Sequence, residues 1–443
     1  MKTFTTSALG VVLLASNVAA FPAAALDALS ASFAKEGANT KRATSVVAPQ
    51  GTGYLPLVPP PFDAAAQYVS NKGQYAFVAP GPGDARGMCP GLNAMANQFV
   101  SWRSITMRLT ILIQCSNYLP HNGVATISQF ISATNKVFGM AFDLGGFLAF
   151  FGAIVDGDGA GWSIDGGPHV GIGGSHNDYD SDSSPFMSDL NQYGSNKELV
   201  ISQFKTFYDM QPDAATANYN LDVLTAFSGK RYTESINKNP YFFYGPFPGI
   251  LVSQAAFTFK YRFMANKSAE YPEGILNKDV LKSFSSVSGP DNNLTWTPGH
   301  ERIPDNWYKR NDADQYSIPY FFADVVRIGQ TQPERLVIGC NHGAVNTFNA
   351  IDPATISNGA YTAGQVAASP LCFATEFALA ELIGTTGLSA AQLAPLTSSL
   401  QNVTKSMNCQ SIGSVNMSAL TACPGFSFYG GPTGPIAPGA IQS

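Results

Sequence analysis

The sequence predicts a mainly α, single-domain protein with Gly/Pro-rich loops and a C-terminal extension. Apolar residues recur at three- and four-residue steps in several segments, helical signals outnumber strand signals, and Gly- and Pro-rich stretches separate the periodic runs. An apolar content of 45% with 30 Phe and 18 Tyr is ample for a packed core, which excludes disorder as a description of the whole chain. The net charge is -5 with no basic run, so nothing is present to neutralise a phosphate backbone and nucleic acid is excluded as a partner. Six Cys in 443 residues are too sparse for a small disulfide scaffold.

In chain order, Lys2, the apolar run Ala8 to Leu14 and Val18-Ala19-Ala20 read as a secretory signal over residues 1–20. An Ala- and Ser-rich stretch then ends in Lys41-Arg42, which reads as a dibasic pro-peptide site closing residues 21–42. Secretion is expected, and the sequons at Asn266, Asn293, Asn402 and Asn416 agree with it. The spacing of Val124, Ile127, Ile131, Thr134, Val137 and Phe138 predicts an amphipathic helix. Asp143 to Val155 is apolar all round and too short to cross a bilayer, so it predicts a buried helix and no membrane span. Asp213 predicts the cap of a helix running to Phe227 with Gly229 as its stop, and Pro272 to Ser286 is helical in pattern. The main domain is expected over 43–350 and the extension, Ala-, Ser- and Thr-rich with a Gly/Pro tail, over 351–443.

The sequence contains no G-x-x-x-x-G-K-[ST], H-E-x-x-H, C-x-x-C or G-x-S-x-G. Gly81-Pro82-Gly83 lacks the third glycine of a dinucleotide fingerprint. Two features remain. Cys89 stands in a Gly/Pro turn just before the helix-competent run Leu92 to Ala96, where unpaired backbone N–H groups and the helix dipole favour thiolate. Such a cysteine suits metal ligation or nucleophilic attack; it equally suits a buried apolar position or a disulfide. The second is Asp178-Tyr179-Asp180-Ser181-Asp182-Ser183-Ser184, whose alternating carboxylates suit a hard cation or a solvated turn. It fails as an EF-hand loop, with Ser183 at the sixth position and Asp189 at the twelfth.

In this order the two features resemble the fungal heme-thiolate peroxidases, the family of chloroperoxidase and the unspecific peroxygenases. The resemblance rests on Met88-Cys89-Pro90-Gly91-Leu92-Asn93-Ala94-Met95-Ala96-Asn97-Gln98, on Tyr118-Leu119-Pro120-His121-Asn122-Gly123 and on Asp180-Ser181-Asp182-Ser183-Ser184, and covers Tyr68 to Gly343. It implies the helical chloroperoxidase-like fold, heme b with Cys89 as the axial thiolate, and magnesium held by Asp180, Ser181 and Ser184, with Asp182 as an acceptor beside the cofactor. It implies an enzyme that uses hydrogen peroxide to oxidise small hydrophobic or aromatic molecules, with a lean towards secondary metabolism. A halide-oxidising enzyme and a diverged heme-binding relative are the alternatives.

The departures from the family pattern are specific. Met88 replaces a proline and Asp180 replaces a glutamate. Family members place a distal glutamate about seventy residues beyond the motif aspartate, to move a proton between peroxide oxygens. Here that stretch, Pro246 to Ala256, holds no acid and no arginine; Gln254 marks the position, and Glu270, Glu273, His169 and His176 are the substitutes to consider. Phe99 to Ser116 intervenes between segments that are nearly contiguous in relatives, and its edges can be written as intron borders. The remaining thiols are expected to pair by sequence proximity, Cys340 with Cys372 and Cys409 with Cys423.

Overall fold

A computed structural model describes residues 59–98, 118–165, 176–177, 181–195, 197–386, 393–394, 400–401, 405 and 407–429. Among the described residues about 48% are helical, as the periodicity requires. The described strands are two or three residues long and form two antiparallel pairs and one three-stranded ribbon.

Helix α1, Pro90–Asn97, starts on a proline whose fixed φ suits the first helical position, and its positions from Gly91 to Asn97 are buried. Helix α2, Ile127–Phe138, is set by a capping box between Thr126 and Gln129 and stopped by Gly139 at φ 67°. The strand Val124–Thr126 precedes it and pairs with Gly161–Ser163. Helix α3, Phe142–Val155, is buried along most of its length and packs on α2, which explains its all-apolar sequence. Gly152 is required there, because a Cβ would lie 2.7 Å from the Trp162 ring.

Helix α4 spans Ile201–Tyr208, and α5 spans Leu221–Lys238. The expected start at Asp213 is corrected: Asn220 caps α5, while Asp213 closes a turn by accepting from Ala215 N and Thr216 Oγ1. Gly229 is not the stop either. It lies inside α5, where a Cβ would meet the Gln332 side chain at 2.6 Å, so the glycine marks a close approach. A π-helical turn, Pro248–Ser253, leads into α6, Gln254–Met264. Helix α7 is shorter than its pattern, Lys278–Phe284, because residues 266 and 275 pair as a bridge and Asn277 caps the start. Helix α8, Ile318–Thr331, is fastened to α6 by Arg262, which donates to both carboxylate oxygens of Asp324 at 2.9 and 2.7 Å.

Beyond residue 351, helix α9, Pro370–Thr386, packs against the π-helical turn. The expected disulfides are corrected to Cys340–Cys423 and Cys372–Cys409, with Cα separations of 5.7 and 5.2 Å. Proximity in sequence fails here because Gly339–Cys340 pairs with Phe243–Tyr244, and Phe426 packs its ring 5.2 Å from that of Phe243. Cys423 is thereby brought to Cys340 rather than to Cys409.

The Cys340–Cys423 bridge closes 83 residues. Replacing both cysteines by serine is expected to lower stability by about 4 kcal/mol on the chain-entropy account, read by urea unfolding. Non-reducing peptide mapping should recover a 340–423 peptide pair; a 340–372 pair would show the pairing to be wrong.

Candidate active site around Cys89

Cys89 is the N-cap residue of α1 and is half-buried as a residue; among the described residues it is the free cysteine. The turn before it is closed by one side chain. Gly87 N donates to Asn93 Oδ1 at 3.1 Å, and Asn93 Nδ2 donates back to Gly87 O at 2.7 Å. Residue 87 has to be glycine, since a Cβ would stand 1.9 Å from Ile164 O. One turn further along α1, Asn97 Nδ2 donates to Gly299 O and Glu301 O at 2.7 and 3.0 Å, while Arg86 Nε donates to Asn97 Oδ1 at 2.8 Å. The polar face of α1 therefore holds both the cysteine turn and the 299–301 segment.

Beside this turn lies a cavity of about 250 Å³ whose walls include Arg86, Met88, Pro90, Phe186, Lys260 and Glu301. Burial pushes the Cys89 thiol up, opposed by the backbone N–H groups of Leu92 and Gly91 and by the Lys260 charge. Burial likewise brings Lys260 down to about 8, with Cys89 and Glu301 opposing it. Glu301 is pushed up to about 7 by burial, against a bond from its own backbone, Asn93, Arg86 and Lys260. Its Oε2 has no hydrogen-bond partner in the structure.

The residues singled out by sequence separate into distinct places. Asp180 and His169 lie outside the described residues. Asp182 is buried and serves as scaffold: Leu190 N donates to its Oδ1 at 3.2 Å and Asn239 Nδ2 to its Oδ2 at 2.7 Å. The Ser181 hydroxyl donates to Pro248 O at 3.5 Å and that of Ser184 to Met187 Sδ at 3.9 Å. Among the described residues no group of three His, Cys, Asp or Glu side chains is placed to hold a metal ion, so the magnesium expectation finds no donor set there. His176 is buried with its Nε2 4.0 Å from Asp182 Oδ1, and burial pulls it down to about 4. Glu270 is exposed in the turn before Tyr271, and Glu273 is paired with Arg262. Neither lines the Cys89 cavity.

Gln254 is wholly buried at the start of α6, its Nε2 3.4 Å from both Tyr244 Oη and Arg335 O. Its Oε1 is without a partner, as is Nε of the wholly buried Arg335. The Arg335 guanidinium donates to Ser228 O and, at 3.0 Å, to Ser253 Oγ, and neither Gln254 nor Arg335 lines the Cys89 cavity. Sequence reasoning missed Arg335, Lys260 and Glu301. The one legible signal was a lone lysine within the aromatic-rich run Phe257 to Phe263.

The described site is thus one free thiol at a helix N-terminus, next to a cavity whose wall carries a buried acid and a buried ammonium. Comparison with known proteins makes the assignment specific. The family described as "Peroxidase, family 2" matches residues 75–100 and 115–312. The dothistromin biosynthesis peroxidase of Dothistroma septosporum is 34% identical over 95% of this chain and 98% of its own. An aromatic peroxidase of Fusarium equiseti is 33% identical over 67% of this chain and 68% of its own. An aromatic peroxygenase of Cyclocybe aegerita is 25% identical over 77% of this chain and 82% of its own. The chain belongs to peroxidase family 2 and is an oxidoreductase that uses peroxide.

Glu301 holds a proton in the folded chain up to about 7, whereas an ordinary glutamate releases it near 4.5. Between those values the folded state binds more protons than the unfolded state, so this group's contribution to stability is lost as pH rises through the window. Glu301→Gln should remove that share. The melting temperature of the variant minus that of the wild type should therefore rise from pH 4.5 to 7, and a flat difference would show that Glu301 is not buried as described.

Proposed function

We propose that this peroxidase is a heme-thiolate enzyme in which Cys89 is the axial ligand of heme b, and that it uses hydrogen peroxide to oxidise small hydrophobic or aromatic molecules of secondary metabolism. The observation that carries the reading is the position of Cys89 at the N-terminus of α1, where burial pushes the free thiol up while the N–H groups of Leu92 and Gly91 and the Lys260 charge oppose it. The cavity walls beside it suit the group: Met88 and Pro90, the chain neighbours of Cys89, and Phe186 are apolar, and Lys260 is a buried ammonium. When bound, heme would supply iron to which a thiolate donates electron density, favouring cleavage of a peroxide O–O bond. In this chain Asn93 would hold the turn that aims the sulfur, and the α1 N–H groups would stabilise its charge.

The relatives named for aromatic oxidation and for dothistromin biosynthesis support the substrate class. Gln254 favours a second reading, the diverged relative, because an amide orients a peroxide but cannot carry its proton. The deciding measurement is the carbon monoxide difference spectrum of the reduced protein. A red-shifted, thiolate-type band that is lost in Cys89→Ala is expected, and protein purified without heme would overturn the assignment. If the band is present but peroxide turnover of an aromatic substrate is absent, the diverged reading stands.

We further propose secretion, with residues 1–20 and 21–42 removed, and we read 99–116 as a retained intron, in keeping with the gap at 101–114 between the two parts of the family match. Edman sequencing of protein recovered from culture medium should begin at Ala43, and a start at Phe21 would remove the pro-peptide. A transcript carrying 99–116 in frame would remove the intron. Of the four sequons, Asn293 is exposed, Asn402 lies outside the described residues, and the amides of Asn266 and Asn416 donate to Asn306 O and Thr355 O.

A further inference from the structure

The cavity beside Cys89 contains a cation that the structure leaves uncommitted. Lys260 is 5% exposed. Among the described residues its Nζ makes no hydrogen bond and no carboxylate lies within 4.0 Å; the Phe186 ring centroid stands at 4.1 Å, and Cys89 and Glu301 act on it only at longer range. The other cations on the cavity wall are committed. Arg86 donates to Asn97 Oδ1 and to the carbonyls of Ala85 and His121, and Lys197 Nζ lies 2.8 Å from Asp165 Oδ1. The acids facing the cavity are Glu198 and Glu301, and burial favours the neutral form of Glu301.

An ammonium held out of water without a directly bonded anion costs several kcal/mol, and the face of an aromatic ring offsets only about 2 kcal/mol of that. A cation in this position on a cavity wall is explained by an anion that enters the cavity. The chemistry follows from the surroundings. The cavity is small, flanked by Met88, Pro90 and Phe186, and offers one point charge on a flexible stem. That suits a single carboxylate attached to an apolar body; a phosphate would call for several donors.

We propose that Lys260 is the seat for a carboxylate of the molecule bound beside Cys89, either a propionate of heme or the acid group of an aromatic substrate. The first source rests on the heme-thiolate reading above; the second does not. In both, Lys260 is a positioning residue: it places a carboxylate at one end of the cavity and thereby orients the ring system relative to the Cys89 sulfur.

Two arms separate the sources. In the first, heme loss from the holoenzyme to excess apomyoglobin is timed for the wild type, Lys260→Met and Lys260→Arg, each loaded with heme or with heme dimethyl ester. Heme loss about tenfold faster in Lys260→Met, restored in Lys260→Arg and absent with the diester, assigns the seat to a propionate. In the second arm, calorimetric titration with 2-naphthoate and 2-naphthamide is run on the same three proteins, with heme or without it. Binding of the acid about tenfold weaker in Lys260→Met, with the amide unchanged, assigns the seat to a substrate carboxylate. Insensitivity of both arms to Lys260→Met overturns the proposal.

A wild-type protein that takes up no heme would defeat the heme reading alone, and the naphthoate arm would then decide this one. The melting temperature of Lys260→Met separates a ligand seat from a structural lysine. In the heme-free protein, exchanging an unpaired buried charge for an apolar side chain should not lower it. A lowered melting temperature with both carboxylate discriminations intact would mark Lys260 as structural and likewise overturn the proposal.

Discussion

The site depends on one side-chain amide closing one turn. Asn93 occupies both polar groups of Gly87, and that pair of bonds sets the direction in which the chain enters α1. With the entry set, Cys89 falls at the N-cap and Pro90 at the first helical position, where the missing N–H costs nothing. The glycine at 87 is the counterpart of this closure, because the turn presses against Ile164 O. Everything further out is built on it: Asn97, one turn later on the same helix, collects the 299–301 segment and Arg86, and so carries Glu301 to the cavity wall.

The second organising constraint is the cost of buried charge. Helix α6 carries three contrasting solutions. Arg262 is neutralised by a bidentate bond to Asp324, which receives the Tyr316 hydroxyl as well, and this joins α6 to α8. Lys260, two residues earlier and on another face, has a ring beneath it and a cavity in front of it. Gln254, at the start of the helix, is neutral, and its Nε2 lies 3.4 Å from the carbonyl of Arg335 in a remote segment. A paired charge builds the fold; an unpaired one beside a cavity points to chemistry or to a ligand.

Much of the scaffold was legible in the sequence because local rules governed it. Periodicity located α2, and uniform apolarity located α3. The Cys89 turn could be read from Gly, Pro and a helix-competent run in succession, and the family followed from that turn together with the acidic loop. Where local rules failed, a tertiary contact had replaced them. Asp213 has the composition of a cap, yet Asn220 holds that role, and Gly229 has the composition of a stop, yet it accommodates Gln332 inside α5. The cysteines were paired by distance along the chain, whereas the ribbon joining Gly339–Cys340 to Phe243–Tyr244 decides which thiols meet.

The sequence by itself determined the helical class and the membership of a peroxide-using family, and it singled out Cys89, because each is written in residues close together along the chain. Only the tertiary structure decided what surrounds the sulfur. Lys260, Glu301 and Arg86 come from three separate segments, and their titration and pairing depend on water being excluded around them. Exclusion of water is a property of packing in three dimensions, so no spacing along the chain records it.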